Sequence, residues 1–112
     1  MSTTTDEAAQ LLLAAWIGTT RLNGLPSRCR PADLDQGYAI QDALLLATGE
    51  ALAGHKIAAT AVAGQQHIGI THPITGGLLS SQIRSPGAQV SLSGNQMCAA
   101  EAEFVFEFNA CL

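Results

Sequence analysis

The stretch GHKIAATAVAG, residues 54–64, separates two patterns in the chain. It is short, bounded by glycines and partly β-branched, and these features predict a strand. Before it, apolar residues recur at helical spacing, and after it glycine, proline and alternating apolar residues become frequent. Helices followed by strands indicate an α+β fold.

Two N-terminal helices are predicted before this strand. The first covers residues 6–17, where Thr4 and Glu7 have the spacing of a capping box. The second runs from about 34 to 53, with Asp33 as its N-cap. Four side chains of this second helix are expected to face inward: Tyr38, Leu45, Leu46 and Leu52.

The second half of the chain predicts a mostly antiparallel, β-rich region. Glycine and proline are dense in residues 64–87, which predicts turns and loop with one helical turn around 65–68. Two further strands are predicted, QVSLS at 89–93 and CAAEAEFVFEF at 98–108. We therefore divide the chain into a helical region, 1–53, and the start of a β-rich region, 54–112, within a single domain that we expect to be incomplete.

Composition limits the classes of partner. Net charge is −4, and the five basic residues are scattered, so nucleic acid is not expected as a partner. The apolar run LLLAAWI at 11–17 is too short to cross a bilayer, so no membrane span is predicted. Charged residues make up only 12% of the chain, which favours burial against a second copy or a related full-length chain.

Cysteine usage favours a reducing compartment. The three cysteines show no metal-binding spacing, and the N-terminus is acidic and lacks the basic segment of a signal peptide. We expect a cytoplasmic protein whose thiols are free. The three residues are Cys29, Cys98 and Cys111.

The last predicted strand carries two glutamates on one face. Alternation would place Ala102 and the phenylalanines Phe104, Phe106 and Phe108 in the core, and would place Glu101 and Glu103 on the opposite face, with Val105 and Glu107. Carboxylates two residues apart, roughly 6.6 Å along a strand, can converge on one cation, and oxygen ligands favour Mg²⁺, Mn²⁺ or Ca²⁺. The alternative is a solvated strand face.

Lys56 is the single lysine of the chain and lies between small and apolar residues. Burial on a strand would lower its pKa and suit acid–base work or binding of a substrate anion. The alternative is a surface lysine whose stem lies along the strand. The three histidines lack ligand spacing and are interpreted as structural or exposed.

Four short motifs occur along the chain: GYAIQ at 37–41, GHKIAAT at 54–60, HPITGGLL at 72–79 and AAEAEFVF at 99–106. Their order and spacing resemble those of the 2-keto-4-pentenoate hydratase family, which belongs to the fumarylacetoacetate hydrolase superfamily. The resemblance covers essentially the whole chain, but only about the first half of such an enzyme.

The resemblance implies a lyase of aromatic-compound catabolism that adds water to a 2-hydroxy-2,4-dienoate, a small 2-oxo acid substrate, through a metal-bound enolate. It implies that Glu101 and Glu103 are ligands of Mg²⁺ or Mn²⁺. It implies that Lys56 is a catalytic residue that binds the substrate anion or relays a proton. The alternatives are a 2-oxo-diacid decarboxylase of the same family, or a truncated remnant or partner subunit without activity.

The chain departs from the family pattern in three ways. Ala58 replaces the glycine that follows the Lys-Ile pair, and Ile74 stands where an acidic residue often follows the proline. The third acidic metal ligand and the remainder of the fold are expected beyond Leu112. Two ligands without the third predict a weak, open site.

Overall fold

A computed structural model describes residues 3–110. Cys111 lies outside this range, as do the first two residues of the predicted helical region and the last two of the predicted β-rich region. Helices and an antiparallel sheet both occur, so the predicted α+β class is confirmed. The elements are helix α1 (Thr4–Ile17), a 3₁₀ turn (Ser27–Cys29), helix α2 (Leu34–Thr48), strand β1 (Leu52–Ala58), helix α3 (Val62–Ile68), strand β2 (Ile74–Leu79) and a second 3₁₀ turn (Ser80–Gln82).

The N-cap of helix α1 lies one residue before the predicted cap, and the helix begins at Thr4, two residues before the predicted start. The Thr3 hydroxyl accepts a hydrogen bond from the Asp6 backbone at 3.1 Å, and the Asp6 carboxylate accepts one from the Thr3 backbone at 2.9 Å. The capping box is therefore Thr3 with Asp6, so the prediction for Thr4 and Glu7 was wrong. The Glu7 carboxylate instead accepts hydrogen bonds from the side chain of Arg28, 21 residues away.

Helix α2 begins as predicted but ends earlier. The Asp33 carboxylate accepts a hydrogen bond from the backbone of Gln36 at 2.8 Å. The helix ends at Gly49, whose φ of 69° is left-handed and favours glycine. Leu52 lies in β1, where it pairs with β2, and Leu46 is 83% exposed, so neither side chain is the inward-facing helix residue that was predicted.

The sheet consists of β1 and β2, which pair antiparallel among the described residues. Lys56 lies opposite Gly76, and the register shifts between Leu52 and Gly54. The strand predicted at 54–64 is confirmed in its first part. Its last residues instead form the first turn of α3.

The core lies between α1 and α2, and its central cluster consists of Ala8, Cys29 and Ile40. Burial raises the pKa of the Cys29 thiol, so this cysteine stays protonated at neutral pH. Leu79 at the end of β2 is also buried. The buried residues thus lie in the elements of the first 79 residues.

Residues 83–110, named here the C-terminal arm, form no helix or strand and are exposed throughout. The strands predicted at 89–93 and 98–108 are therefore wrong. A strand needs a neighbouring strand to accept its backbone hydrogen bonds, and neither segment is paired in a sheet. The phenylalanine face predicted as core is also wrong, because Phe104 is 99% and Phe106 is 83% exposed.

Candidate functional site

Lys56 projects from the middle of β1, and α2 fixes the strand that lies beside it. The Gln41 amide donates a hydrogen bond to the Thr75 carbonyl at 3.2 Å and accepts one from the Gly77 backbone at 2.7 Å. The Tyr38 hydroxyl accepts a third bond from the Thr75 backbone at 3.2 Å. Helix α2 therefore holds β2 on both sides of Gly76, the residue opposite Lys56.

Sequence reasoning missed this positioning role of Tyr38 and Gln41. Both residues belong to the GYAIQ motif at 37–41, which was used only as part of the resemblance. The signal was a polar residue, Gln41, directly after the buried Ile40. A polar side chain at the edge of a core needs a hydrogen-bonding partner, which here is the backbone of β2.

The structure brings the three predicted site residues together. Lys56 Nζ donates a hydrogen bond to Glu101 Oε2 at 2.9 Å and to Glu103 Oε1 at 3.0 Å. The two carboxylates therefore converge on one positive group, although their backbone forms no strand. Sequence separations of 45 and 47 residues make this a tertiary arrangement.

The electrostatics of the cluster favour its charged forms. The hydrogen bonds that Lys56 donates to Glu101 and, second, to Glu103 raise the pKa of Lys56 above its usual value. The hydrogen bond from Lys56 lowers the pKa of Glu101. The expectation of a lysine with a lowered pKa was wrong, because the side chain is 44% exposed and its carboxylate partners stabilise the ammonium. At neutral pH Lys56 is therefore protonated and positively charged.

The donor set fits a hard cation in part. The ammonium of Lys56 is a cation held by an oxygen of Glu101 and an oxygen of Glu103, which shows that both carboxylates can reach one positive centre. Within residues 3–110, no three histidine, cysteine, aspartate or glutamate side chains are grouped closely enough to hold a metal ion. A Mg²⁺ or Mn²⁺ ion at this position would take its remaining ligands from water or substrate.

A separate cleft of about 360 Å³ opens between the C-terminal ends of α1 and α2. Its walls are mostly apolar, and none of the three residues of the charged cluster contributes to them. The cleft is therefore not a binding site that Lys56, Glu101 or Glu103 lines. Its lining residues are Leu13, Trp16, Ile17, Ala47, Thr48, Glu50, Leu79, Ser81 and Gln82.

The described helices are all too short or too polar to cross a membrane.

Comparison with known proteins finds a similarity to a hydratase. The chain is 30% identical, over 103 residues, to a protein of Pseudomonas putida strain F1 named TodF product hydratase. The match covers 89% of this chain and 38% of that protein, so the chain spans well under half the length of the relative. No protein-family model and no solved structure matches the chain. Over most of its length, the chain is similar to a hydratase.

Proposed function

We propose that the chain carries part of the active site of a metal-dependent, hydratase-type lyase. Its substrate would be a 2-hydroxy-2,4-dienoate or a related small 2-oxo acid from the breakdown of aromatic compounds. The observation that carries the proposal is the convergence of Lys56, Glu101 and Glu103. The similarity to TodF product hydratase supports the same reaction class.

Each residue of the cluster has a distinct proposed role. Glu101 and Glu103 would hold Mg²⁺ or Mn²⁺, since both ions prefer carboxylate oxygens. A divalent ion bound there supplies Lewis-acid polarisation of the 2-oxo oxygen. Lys56, protonated at neutral pH, would bind the substrate carboxylate and deliver a proton from Nζ. Tyr38 and Gln41 would keep β2, and through it β1, in place.

A metal titration tests the proposed ligands directly. Mn²⁺ binding to the purified chain is followed by electron paramagnetic resonance, with and without oxalate as a mimic of a 2-oxo acid. We expect saturable binding that oxalate tightens, and loss of that binding in the double variant Glu101→Gln/Glu103→Gln. The matched control is Glu107→Gln, which removes one charge from the same arm and should leave binding unchanged. Equal binding by the wild type and the double variant would overturn the ligand assignment.

A turnover assay tests the reaction class. We expect the ultraviolet absorbance of a 2-hydroxydienoate to fall in the presence of Mg²⁺ or Mn²⁺, and this rate to be lost in Lys56→Met. Detection of the hydrated 4-hydroxy-2-oxo acid identifies water addition. Release of CO₂ from a 2-oxo diacid, with no hydrated product from the dienoate, would replace the proposal with the decarboxylase alternative.

The exposure of the C-terminal arm favours a second proposal, in which the chain is a non-catalytic partner subunit. Large apolar side chains at Phe104, Val105 and Phe106 are each more than four-fifths exposed, which is unusual for a free monomer. In this proposal the chain associates with a second copy or with a related full-length chain. Sedimentation velocity tests it, and a stable monomer at micromolar concentration would count against it.

A further inference from the structure

The ammonium of Lys56 is shared almost equally between two carboxylates. Nζ lies 2.9 Å from one oxygen of Glu101 and 3.0 Å from one oxygen of Glu103. Two carboxylates this close repel each other unless a positive charge lies between them. Lys56 supplies that charge, and it is the single lysine of the chain.

We propose that Lys56 is an internal counter-ion that is exchanged for a divalent metal ion. In the metal-free state its ammonium takes the position between Glu101 and Glu103, and binding of the divalent ion releases it. This inference rests on the proposed function, because it concerns the same two metal ligands.

Charge balance gives the exchange a consequence for substrate binding. One ammonium and two carboxylates carry a net charge of −1, which repels an anionic substrate. A divalent ion and the same two carboxylates are neutral, and the released Lys56 adds a free positive charge beside them. The exchange would therefore convert the cluster from one that repels a carboxylate ligand into one that attracts it. Metal would bind first, and the 2-oxo acid second.

The exposure of the three side chains permits the movement. The side chain of Lys56 is 44% exposed, and those of Glu101 and Glu103 are 68% and 55% exposed. No packing therefore holds the ammonium in place, and its flexible four-carbon stem can turn toward solvent. The competing arrangement is simultaneous binding, because each carboxylate has a second oxygen for which no bond to Lys56 is found.

Nuclear magnetic resonance of the lone lysine tests the exchange without measuring activity. Full-length chain grown with lysine labelled at ¹³Cε and ¹⁵Nζ gives one side-chain signal, which belongs to Lys56. We expect Mg²⁺ to move this signal toward its position in Glu101→Gln/Glu103→Gln, and to have no effect in that variant. In parallel, the Mn²⁺ dissociation constant is measured by electron paramagnetic resonance for the wild type, Lys56→Met and Lys56→Arg.

The affinities provide the second readout. Lys56→Met removes the competing charge, and we expect it to bind Mn²⁺ severalfold more tightly than the wild type. Lys56→Arg keeps the charge and should bind as weakly as the wild type. Bound Mn²⁺ with an unmoved Lys56 signal and equal affinities would overturn the exchange alone. Absence of Mn²⁺ binding in all three chains would overturn the metal assignment of the proposed function, and the exchange with it.

Discussion

Two regions of the chain differ in secondary structure and in burial: the packed part, residues 3–82, and the C-terminal arm, residues 83–110. The packed part contains the helices, the strands and all buried residues that the structure describes, whereas every residue of the arm is exposed. The candidate site combines Lys56 from the first with Glu101 and Glu103 from the second. Its geometry therefore depends on a contact between a side chain of the packed part and an exposed segment.

The contact between Lys56 and the two glutamates of the arm is electrostatic. Exposed ion pairs contribute little to folding stability, because water screens the charges and ordering long side chains costs entropy. We therefore expect the stability of the packed part to depend little on these ion pairs, whereas the site needs both parts. Mutations should therefore affect stability when they fall in the packed part, and site geometry when they fall in the arm.

The largest expected effect on stability comes from shortening a buried side chain of the core. Ile40 is 7% exposed and belongs to the central cluster, so Ile40→Ala should lower the free energy of unfolding by about 2–4 kcal/mol. Urea unfolding followed by the fluorescence of Trp16 measures this change. Leu46→Ala is the matched control, since Leu46 lies on the same helix but is 83% exposed. It should change stability by about 0.5 kcal/mol or less. Equal losses for the two variants would contradict the placement of the core.

A smaller effect is expected from overpacking the sheet. A Cβ added at Gly77 would lie 2.5 Å from Leu45 Cδ1 and 2.9 Å from Leu52 Cδ1. Both atoms are ends of flexible side chains, so Gly77→Ala should destabilise by about 1 kcal/mol, the low end of overpacking costs. Gly37→Ala has the opposite sign, because nothing lies within 4 Å and alanine favours the helix by about 0.5–1 kcal/mol. In urea unfolding, the wild type should have a free energy of unfolding above that of Gly77→Ala and below that of Gly37→Ala.

Sequence patterns predicted the packed part better than the arm, and the reason is the range of the interactions. The starts of α1 and α2 depend on local caps, and the sequence located both to within a few residues. At α1, Glu7, the predicted partner of the cap, instead binds the distant Arg28. The end of α2 was missed because Gly49 and Gly54 are both able to follow a last turn.

The arm and the site depend on contacts that no local pattern contains. Residues 98–108 alternate like a strand, but alternation does not supply a second strand. Likewise, the pairing of Lys56 with Glu101 and Glu103 spans 45 and 47 residues. The sequence grouped these three residues only through the resemblance to the hydratase family. Their metal-binding and catalytic roles remain predictions.

The contact of the arm should depend on pH in a defined direction. Lys56 lowers the pKa of Glu101 below its usual value of 4.5, so this contribution is present above pH 4.5 and is lost as the pH falls through the lowered pKa. The pKa of Lys56 is raised, so its contribution is present below its usual value of 10.5 and is lost as the pH rises through the raised pKa. The Lys56 ¹³Cε signal should therefore stay constant between these limits and move in acid toward that of Glu101→Gln/Glu103→Gln. Screening by 1 M NaCl should reduce the difference between the two chains. A signal that already matches the variant at pH 7 would show that the arm is not held.

The smallest expected effect on stability comes from the phenylalanines of the arm. Phe104 is 99% and Phe106 is 83% exposed, so Phe104→Ser/Phe106→Ser removes almost no buried apolar area. Because the hydrophobic contribution follows the area withdrawn from water, urea unfolding at low concentration should be unchanged. If the exposed arm associates with a second copy, the same variant should reduce the sedimentation coefficient at high concentration. A loss of stability as large as that of Ile40→Ala would show that the arm packs against the packed part. That result would contradict the division of the chain into a packed part and an exposed arm. If the urea midpoint is unchanged and association is reduced, the exposed phenylalanines make contacts between molecules rather than within one molecule.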